Sequence, residues 1–317
     1  MQTLPEPMPI RNQSSSFGRA LTIGVEEELM LLDPRSLALA PGVEAVLGPE
    51  GLKTELFACF VETNTPVCAD AFEARDELVR LRRLVADRAA AAGLVVGAAG
   101  SHPFALAAEQ EIVQEERYLR MVVELGAKAL GQLVFGLHVH VGMASFEECL
   151  RALRAVTPWL PHLVALSANS PYLEGEETGV LSARTGRLHE LPRSGPPPAL
   201  ATVAEWEAAV AAAGVDYTRI WWDARPHPRL GTLEVRAADQ PTSVERAAAL
   251  AALVQALCAG LPRPGGDLLA AVEPAARELG TWELVETLRG QVEAERQLAT
   301  GRTDGLRAVV SEIVDLS

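Results

Sequence analysis

Lysine is nearly absent from this chain of 317 residues: Lys53 and Lys128 are the only two, and every other basic side chain is an arginine. With 42 acidic against 28 basic residues the formal charge is -14, which argues against nucleic acid or an anionic membrane as the main partner, since both reward a basic face. There is no GxxxxGK[ST] loop, and Gly93-Leu-Val-Val-Gly97-Ala-Ala-Gly100 does not spell GxGxxG. A bound nucleotide would therefore have to be held by arginines and metal ions. There is also no CxxC. Cys59, Cys68, Cys149 and Cys258 are scattered, and none adjoins a histidine in sequence, so reduced thiols are expected rather than disulfides or a zinc knuckle. The stretch through Ser16 lacks the charged start and apolar run of a signal peptide, and the most apolar window, Ala247 to Leu261, is interrupted by Gln255 and too short to span a bilayer comfortably. The expectation is a cytoplasmic protein without a membrane partner, with 1–18 as a flexible leader and 19–317 as a single domain. Ser194-Gly-Pro-Pro-Pro198 reads as a loop rather than a linker, and no internal repeat stands out.

What the chain has instead is carboxylates set inside apolar runs. Gly24-Val25-Glu26-Glu27-Glu28-Leu29-Met30-Leu31-Leu32-Asp33 reads as a strand. Alternation sends Glu26 and Glu28 to one face with Gly24 and Met30, and Glu27 to the other with Val25 and Leu29. So apolar a strand is buried on at least one face, where an uncompensated carboxylate is costly. An edge strand with its glutamates in water is the plain alternative for a lone pair, but other strands share the peculiarity. Phe135-Gly136-Leu137-His138-Val139-His140-Val141-Gly142 puts His138 and His140 on one face, with glycines at 136 and 142 leaving room for a close approach. Gly231-Thr232-Leu233-Glu234-Val235-Arg236 puts Thr232, Glu234 and Arg236 on one face, where a cross-strand salt bridge is the competing explanation. Strands that each present oxygen or imidazole ligands from one face suggest together a sheet lined for hard cations.

The rest of the chain alternates α and β. A strand-like acidic stretch is expected near 54–63, a helix from about Ala71 to Ala92, a short strand at Leu94-Val95-Val96, and one helix from Glu109 to Leu130. A helix follows at 152–168 despite Pro158 and Pro161, and Ala/Leu/Glu-rich helices fill 243–260 and 267–316.

The segments GVEEELMLLDP, TELFACFVETNTPVC, SHPFA, FGLHVHVGM, LSANSPYLEGEETG, SARTGR and WWDARPHPRLGTLEVRAADQPT, in that order from about Leu21 to Cys258, closely resemble the type 2 glutamate-cysteine ligase family in its carboxylate-amine ligase branch. The resemblance implies an α+β fold of the glutamine synthetase and glutamate-cysteine ligase kind, a curved antiparallel sheet with flanking helices whose concave face holds ATP and Mg2+, with Mn2+ as the alternative cation. It implies amide formation through an acyl phosphate between a glutamate-like carboxylate and an amine such as cysteine. A homodimer stays open, since the sequence does not fix the oligomer. By position, Glu26 and Glu28 resemble the first-strand metal ligands, Glu62 another, His138 the histidine ligand, and Glu234 the glutamate shared between cations. Arg236 resembles the arginine on ATP phosphate, and Glu26, Glu234 and Arg236 are the catalytic set.

Around these stand weaker candidates. Glu55 is a further ligand candidate, but its odd spacing from Glu62 puts the two on opposite faces of one regular strand unless a bend or bulge intervenes. His140 reads as support for a carboxylate or as a satisfied sheet histidine. Ser182, Arg184 and Thr185 suit recognition of a substrate carboxylate, against a solvated loop. Arg225 and Arg229 are candidates for phosphate contacts, against pairing with acids. Trp221, Trp222 and Asp223 read as packing and support.

Family members usually carry a stretch resembling ENRWxAxRxG after the helix that follows DQPT. Here Leu261-Pro-Arg-Pro-Gly-Gly-Asp267 runs almost directly into the next helix, which weakens closure of the cleft or substrate binding. Two other readings stay open: a metal-dependent amidohydrolase using Glu26, Glu28, His138 and Glu234 around a water, and a catalytically weak relative that binds a ligand.

Overall fold

The alternating runs come together as one antiparallel sheet. Its seven strands are β1 Ile23–Leu32, β2 Leu52–Thr54, β3 Phe60–Asn64, β4 Val95–Gly97, β5 Gly136–Gly142, β6 Ala224–His227 and β7 Thr232–Asp239, in a computed structural model that describes residues 16–317. The order is β6-β7-β5-β1-β3-β2, with β4 beside the end of β1, and each pairing is antiparallel. The sheet is open and packed with helices, the α+β arrangement expected. Of the expected leader 1–18, only Ser16, Phe17 and Gly18 fall within the described residues, where the Gly18 amide donates to the Met143 carbonyl at 2.9 Å.

One face of the sheet is apolar. Val25, Leu137, Val139, Leu233 and Val235 are buried there with the helices Ala71–Ala91, Phe146–Val156 and Val244–Gly260. Asp70 starts the first of these, its carboxylate accepting from the Phe72 and Glu73 amides at 2.9 Å. The helix Val244–Gly260 is buried without interruption from Ala247 to Cys258, which explains its lack of a polar stripe. A second apolar cluster joins the far half of β1, Leu29 to Leu32, to Phe57, Phe60, Phe135 and the C-terminal helix Leu306–Leu316. Among the described residues no helix is long and apolar enough to cross a membrane.

Several expected boundaries shift for local reasons. The stretch 54–63 is a hairpin, β2 turning into β3, rather than one strand. The expected helix from Glu109 to Leu130 is broken: a regular helix runs only Glu116–Leu125, and Gly126, at φ 56°, ends it in a conformation that suits glycine. The helix expected at 152–168 begins earlier, at Phe146 behind a Ser145 cap, and is divided by a tighter turn at Thr157–Trp159 where Pro158 and Pro161 interrupt the ladder.

Candidate active site

Strand register lines the ligand candidates up across the other face. Arg225 lies opposite Glu234, Glu234 opposite His140, and His140 opposite Gly24; Glu26 is flanked by His138 and Asn64; Glu28 is opposite Glu62, and Glu62 opposite Lys53. Such cross-strand partners have Cβ atoms about 5 Å apart on one face, so side chains on four strands converge. The expected use of glycine is borne out at 136: a Cβ there would sit 2.0 Å from an Arg184 guanidinium nitrogen, so the arginine crosses the sheet only because residue 136 has no side chain.

Two groups of ligand atoms result among the described residues. Those of Glu26, Glu62 and His138 lie within 4.8 Å of one another, and so do those of Glu26, His140 and Glu234, so Glu26 belongs to both. His138 Nδ1 is 3.2 Å from Glu26 Oε2. His140 Nδ1 meets the Thr232 hydroxyl at 2.9 Å, while its Nε2, 3.6 Å from Glu26 Oε1, is buried and has no hydrogen-bond partner. Buried polar atoms are rarely left so. With Nδ1–H given to Thr232, Nε2 offers a lone pair toward Glu26 and Glu234, the donor set a divalent cation takes.

The charges along this face fall into two kinds. Burial opposes ionisation of Glu26, but His138 and His140 outweigh it and hold its carboxyl well below the usual range. Glu234 is likewise held well below, burial being outweighed by Arg225 and Arg236. Burial dominates at Glu28 and raises it despite Arg184, and burial with Glu62 and Glu28 nearby pushes Glu55 well above the ordinary value. Burial and the neighbouring Arg236 push His138 down to about 4, whereas at His140 Glu26 outweighs burial and raises it.

Residues 22–312 match the model of a family described as glutamate-cysteine ligase family 2. The chain belongs to that family. A Rubrobacter xylanophilus protein provisionally named glutamate--cysteine ligase 2-3 is 41% identical over 306 residues, covering 92% of this chain and 82% of its own. A Herpetosiphon aurantiacus protein provisionally named glutamate--cysteine ligase 2 is 39% identical over 247 residues, 74% of this chain; the match spans 64% of that relative's length. Among solved structures, glutamate--cysteine ligase from Francisella tularensis in complex with AMP has a TM-score of 0.67 over 94% of this chain and 88% of its own, at 11% identity. A bifunctional glutathione synthetase from Pasteurella multocida gives 0.57 over 96% of this chain and 51% of its own, at 15% identity. At such identities the likeness is one of fold. Membership in glutamate-cysteine ligase family 2 makes the chain an ATP-dependent carbon-nitrogen ligase by class.

In this family 2 ligase, Arg236 sits against both triads, donating to Glu234 and lying 3.4 Å from His138 Nδ1. Arg225 donates to Glu234 at 2.7 and 3.3 Å and to the carbonyls of Tyr217, Thr218 and Ile220, so its hydrogens hold Glu234 and a loop rather than facing a phosphate. Arg229 is exposed and pairs with Asp216 at 2.8 Å, and none of its hydrogen bonds reaches the band of ligands; for both arginines pairing with acids is the geometry found. Glu55 needs no bulge. It directly follows β2, and because Lys53 faces Glu62 across the hairpin, Glu55 comes to the same side.

A cavity of about 90 Å³ opens beside the triads, lined by Glu28, Glu55, His138, Arg184 and Arg236 among others. Of the three substrate candidates only Arg184 reaches it. Ser182 caps the helix Ala183–Leu188, meets Thr185 at 2.9 Å and donates to Asp239 at 2.8 Å, and the two line a separate groove. Asp223 supports His189 at 2.9 Å, while Trp221 lines the cavity wall. Sequence reading undervalued His140, although its alternation with His138 was the available signal, and missed Lys53 and Asn64, which donate to Glu62 at 3.3 and 2.7 Å. The stretch whose loss was expected to weaken closure of the cleft is replaced here by the Leu261–Asp267 turn, which lies in the helical layer, where Trp159 Nε1 donates to the Pro262 carbonyl at 3.3 Å, and does not line the cavity.

Proposed function

We propose that this face joins a carboxylate to an amine at the expense of ATP, in γ-glutamyl-cysteine-type synthesis with a glutamate-like acid and a cysteine-like amine. The observation that carries the reading is Glu26 shared by two ligand triads, with the His140 Nε2 buried, unpartnered and turned toward it. Glu26, Glu62 and His138 would hold one cation, and Glu26, His140 and Glu234 a second; Mg2+ or Mn2+ suits this mixed carboxylate and imidazole set. When bound, such ions offset phosphate charge.

The chain's own residues do the rest. Arg225 fixes the Glu234 carboxylate through two hydrogen bonds. Arg236, anchored on Glu234, keeps a permanent positive charge beside both triads for phosphate oxygens. Arg184, buried and crossing at Gly136, sets a second positive charge next to Glu28, suited to the carboxylate of a substrate. The acid's oxygen takes the γ-phosphoryl group and ADP leaves; the amine then attacks the acyl carbon and phosphate leaves. The same reading takes 19–317 as one catalytic unit acting in the cytoplasm on small molecules. Screening acids and amines for ADP release with Mg2+ tests it. ADP formed only with an acid present, and amide with acid and amine together, is expected; amide hydrolysis without nucleotide would replace the ligase by an amidohydrolase.

A further inference from the structure

Among the described residues, three arginine and lysine side chains donate to carboxylates of the two ligand triads, and they are held in two different ways. Arg225 and Arg236 are locked. Their side chains are 8% and 18% exposed, both grip Glu234, and Arg225 also donates to the carbonyls of Tyr217, Thr218 and Ile220. Lys53 is the exception. It sits on the outer strand β2 opposite Glu62, its side chain 52% exposed, and its ammonium donates to Glu62 Oε1 at 3.3 Å and to Asn64 Oδ1 at 2.5 Å. Asn64 closes the ring by donating from Nδ2 to the same Glu62 oxygen at 2.7 Å. An ammonium only donates and a carboxylate only accepts, so the orientation of the Asn64 amide follows from its two partners.

Glu62 is buried, and Lys53 gives it a positive charge through a contact that is easily surrendered. A half-exposed lysine gains little from its ion pair, has a strongly hydrated head and swings on a flexible stem, whereas an arginine fork stays where its several bonds set it. A divalent ion held by Glu26, Glu62 and His138 would bring a second positive charge to the carboxylate that Lys53 already holds, and like charges a few ångströms apart repel. Both cannot keep Glu62. We infer that Lys53 is a placeholder for the cation at Glu62: it neutralises that carboxylate while the triad is empty and releases it when a divalent ion takes the triad, Asn64 continuing to hold the carboxylate in position. The inference rests on the ligase reading for the cation and goes beyond it in giving Lys53 a competing role, not a grip on phosphate.

Two measurements on the whole protein test it, both without nucleotide. The first is calorimetric titration of Mn2+ into wild type, Lys53→Met and Lys53→Arg. Lys53→Met has no charge to displace and is expected to bind Mn2+ about three- to fivefold tighter than wild type, the upper part of what an exposed ion pair is worth. Lys53→Arg keeps the charge and should bind no tighter than wild type. The second reads the displacement itself, and the scarcity of lysine makes it clean. Protein grown on lysine labelled with 13C at Cε gives signals from Lys53 and Lys128 alone, and Lys128, exposed on the helix Ala127–Leu130, is the internal reference. Saturating Mg2+ should narrow the Lys53 signal to the width of the Lys128 signal and leave Lys128 as it was. Lys53→Met that binds Mn2+ no tighter than wild type, or a Lys53 signal that stays broad at saturation, overturns the inference and leaves the ligase reading standing. Absence of Mn2+ binding in wild type and Lys53→Met alike removes the cation from the ligase reading, and the placeholder with it.

Discussion

Glu26 and Glu27 are adjacent on β1 and have opposite fates. Glu27, on the helix-covered face, is 0% exposed and completely answered: Arg82 donates to it at 3.0 and 2.6 Å and Gln240 at 2.8 Å. Arg82 itself reaches the carbonyls of Pro241 and Thr242. Glu26, turned to the front face, has two imidazoles and an arginine-held carboxylate around it and still leaves a buried ring nitrogen unpartnered. Burial of a carboxylate alone therefore does not mark a site. What marks it is a set of ligands that the protein brings together and does not satisfy by itself.

The largest effect is expected on the closed side. Arg82→Ala leaves Glu27 buried without a counter-charge and should cost about 3–5 kcal/mol in urea unfolding, whereas Glu27→Met with Arg82→Met should recover most of it. A loss below about 1 kcal/mol in Arg82→Ala would mean that Glu27 is not the closed charge described. On the open side the balance reverses. Glu26→Gln should lower ADP release by about a hundredfold or more while changing stability far less than Arg82→Ala does. Loss of folded protein in Glu26→Gln would turn the front face into a structural ion-pair network.

His102 sharpens the contrast from the closed side with a smaller effect. Its Nε2 lies 2.9 Å from the Leu37 carbonyl and its Nδ1 accepts from the Phe104 and Ala105 amides at 3.3 and 3.0 Å, which only a neutral ring can do. Burial pushes it down to about 4. Below its ordinary value near 6.5 the unfolded chain binds a proton that the folded chain refuses, so stability falls as pH drops from about 6.5 to 4 and levels off beneath. The difference should reach on the order of 3 kcal/mol and vanish in His102→Gln, read as wild type minus variant across that range. An unchanged slope in the variant would place the titration elsewhere.

Much of the front face was legible because a strand's period of two is rigid. Reading every second residue of β1, β5 and β7 put Glu26, Glu28, His138, His140 and Glu234 on one side, and the register kept them there. Helices were legible where apolar residues recur at helical spacing, as from Ala71 to Ala92. Two kinds of information were not. One was chain reversal within a short stretch: the hairpin joining β2 to β3 places Glu55 beside Glu62, where a single strand would have separated them. The other was contact at long range. Nothing near Glu27 in sequence announces Arg82 or Gln240. The short Leu261–Asp267 turn shows the same limit, since the indole that donates to its Pro262 carbonyl belongs to Trp159, about a hundred residues away.

The claim that the front face is a cation site for nucleotide is tested most directly by titrating ATP into the protein with Mg2+ and again with excess chelator. Tight binding with Mg2+ and none measurable with chelator is expected, because Glu26, Glu62 and Glu234 otherwise repel the phosphates and no lysine-bearing phosphate loop compensates. Equal affinity in the two titrations would contradict it.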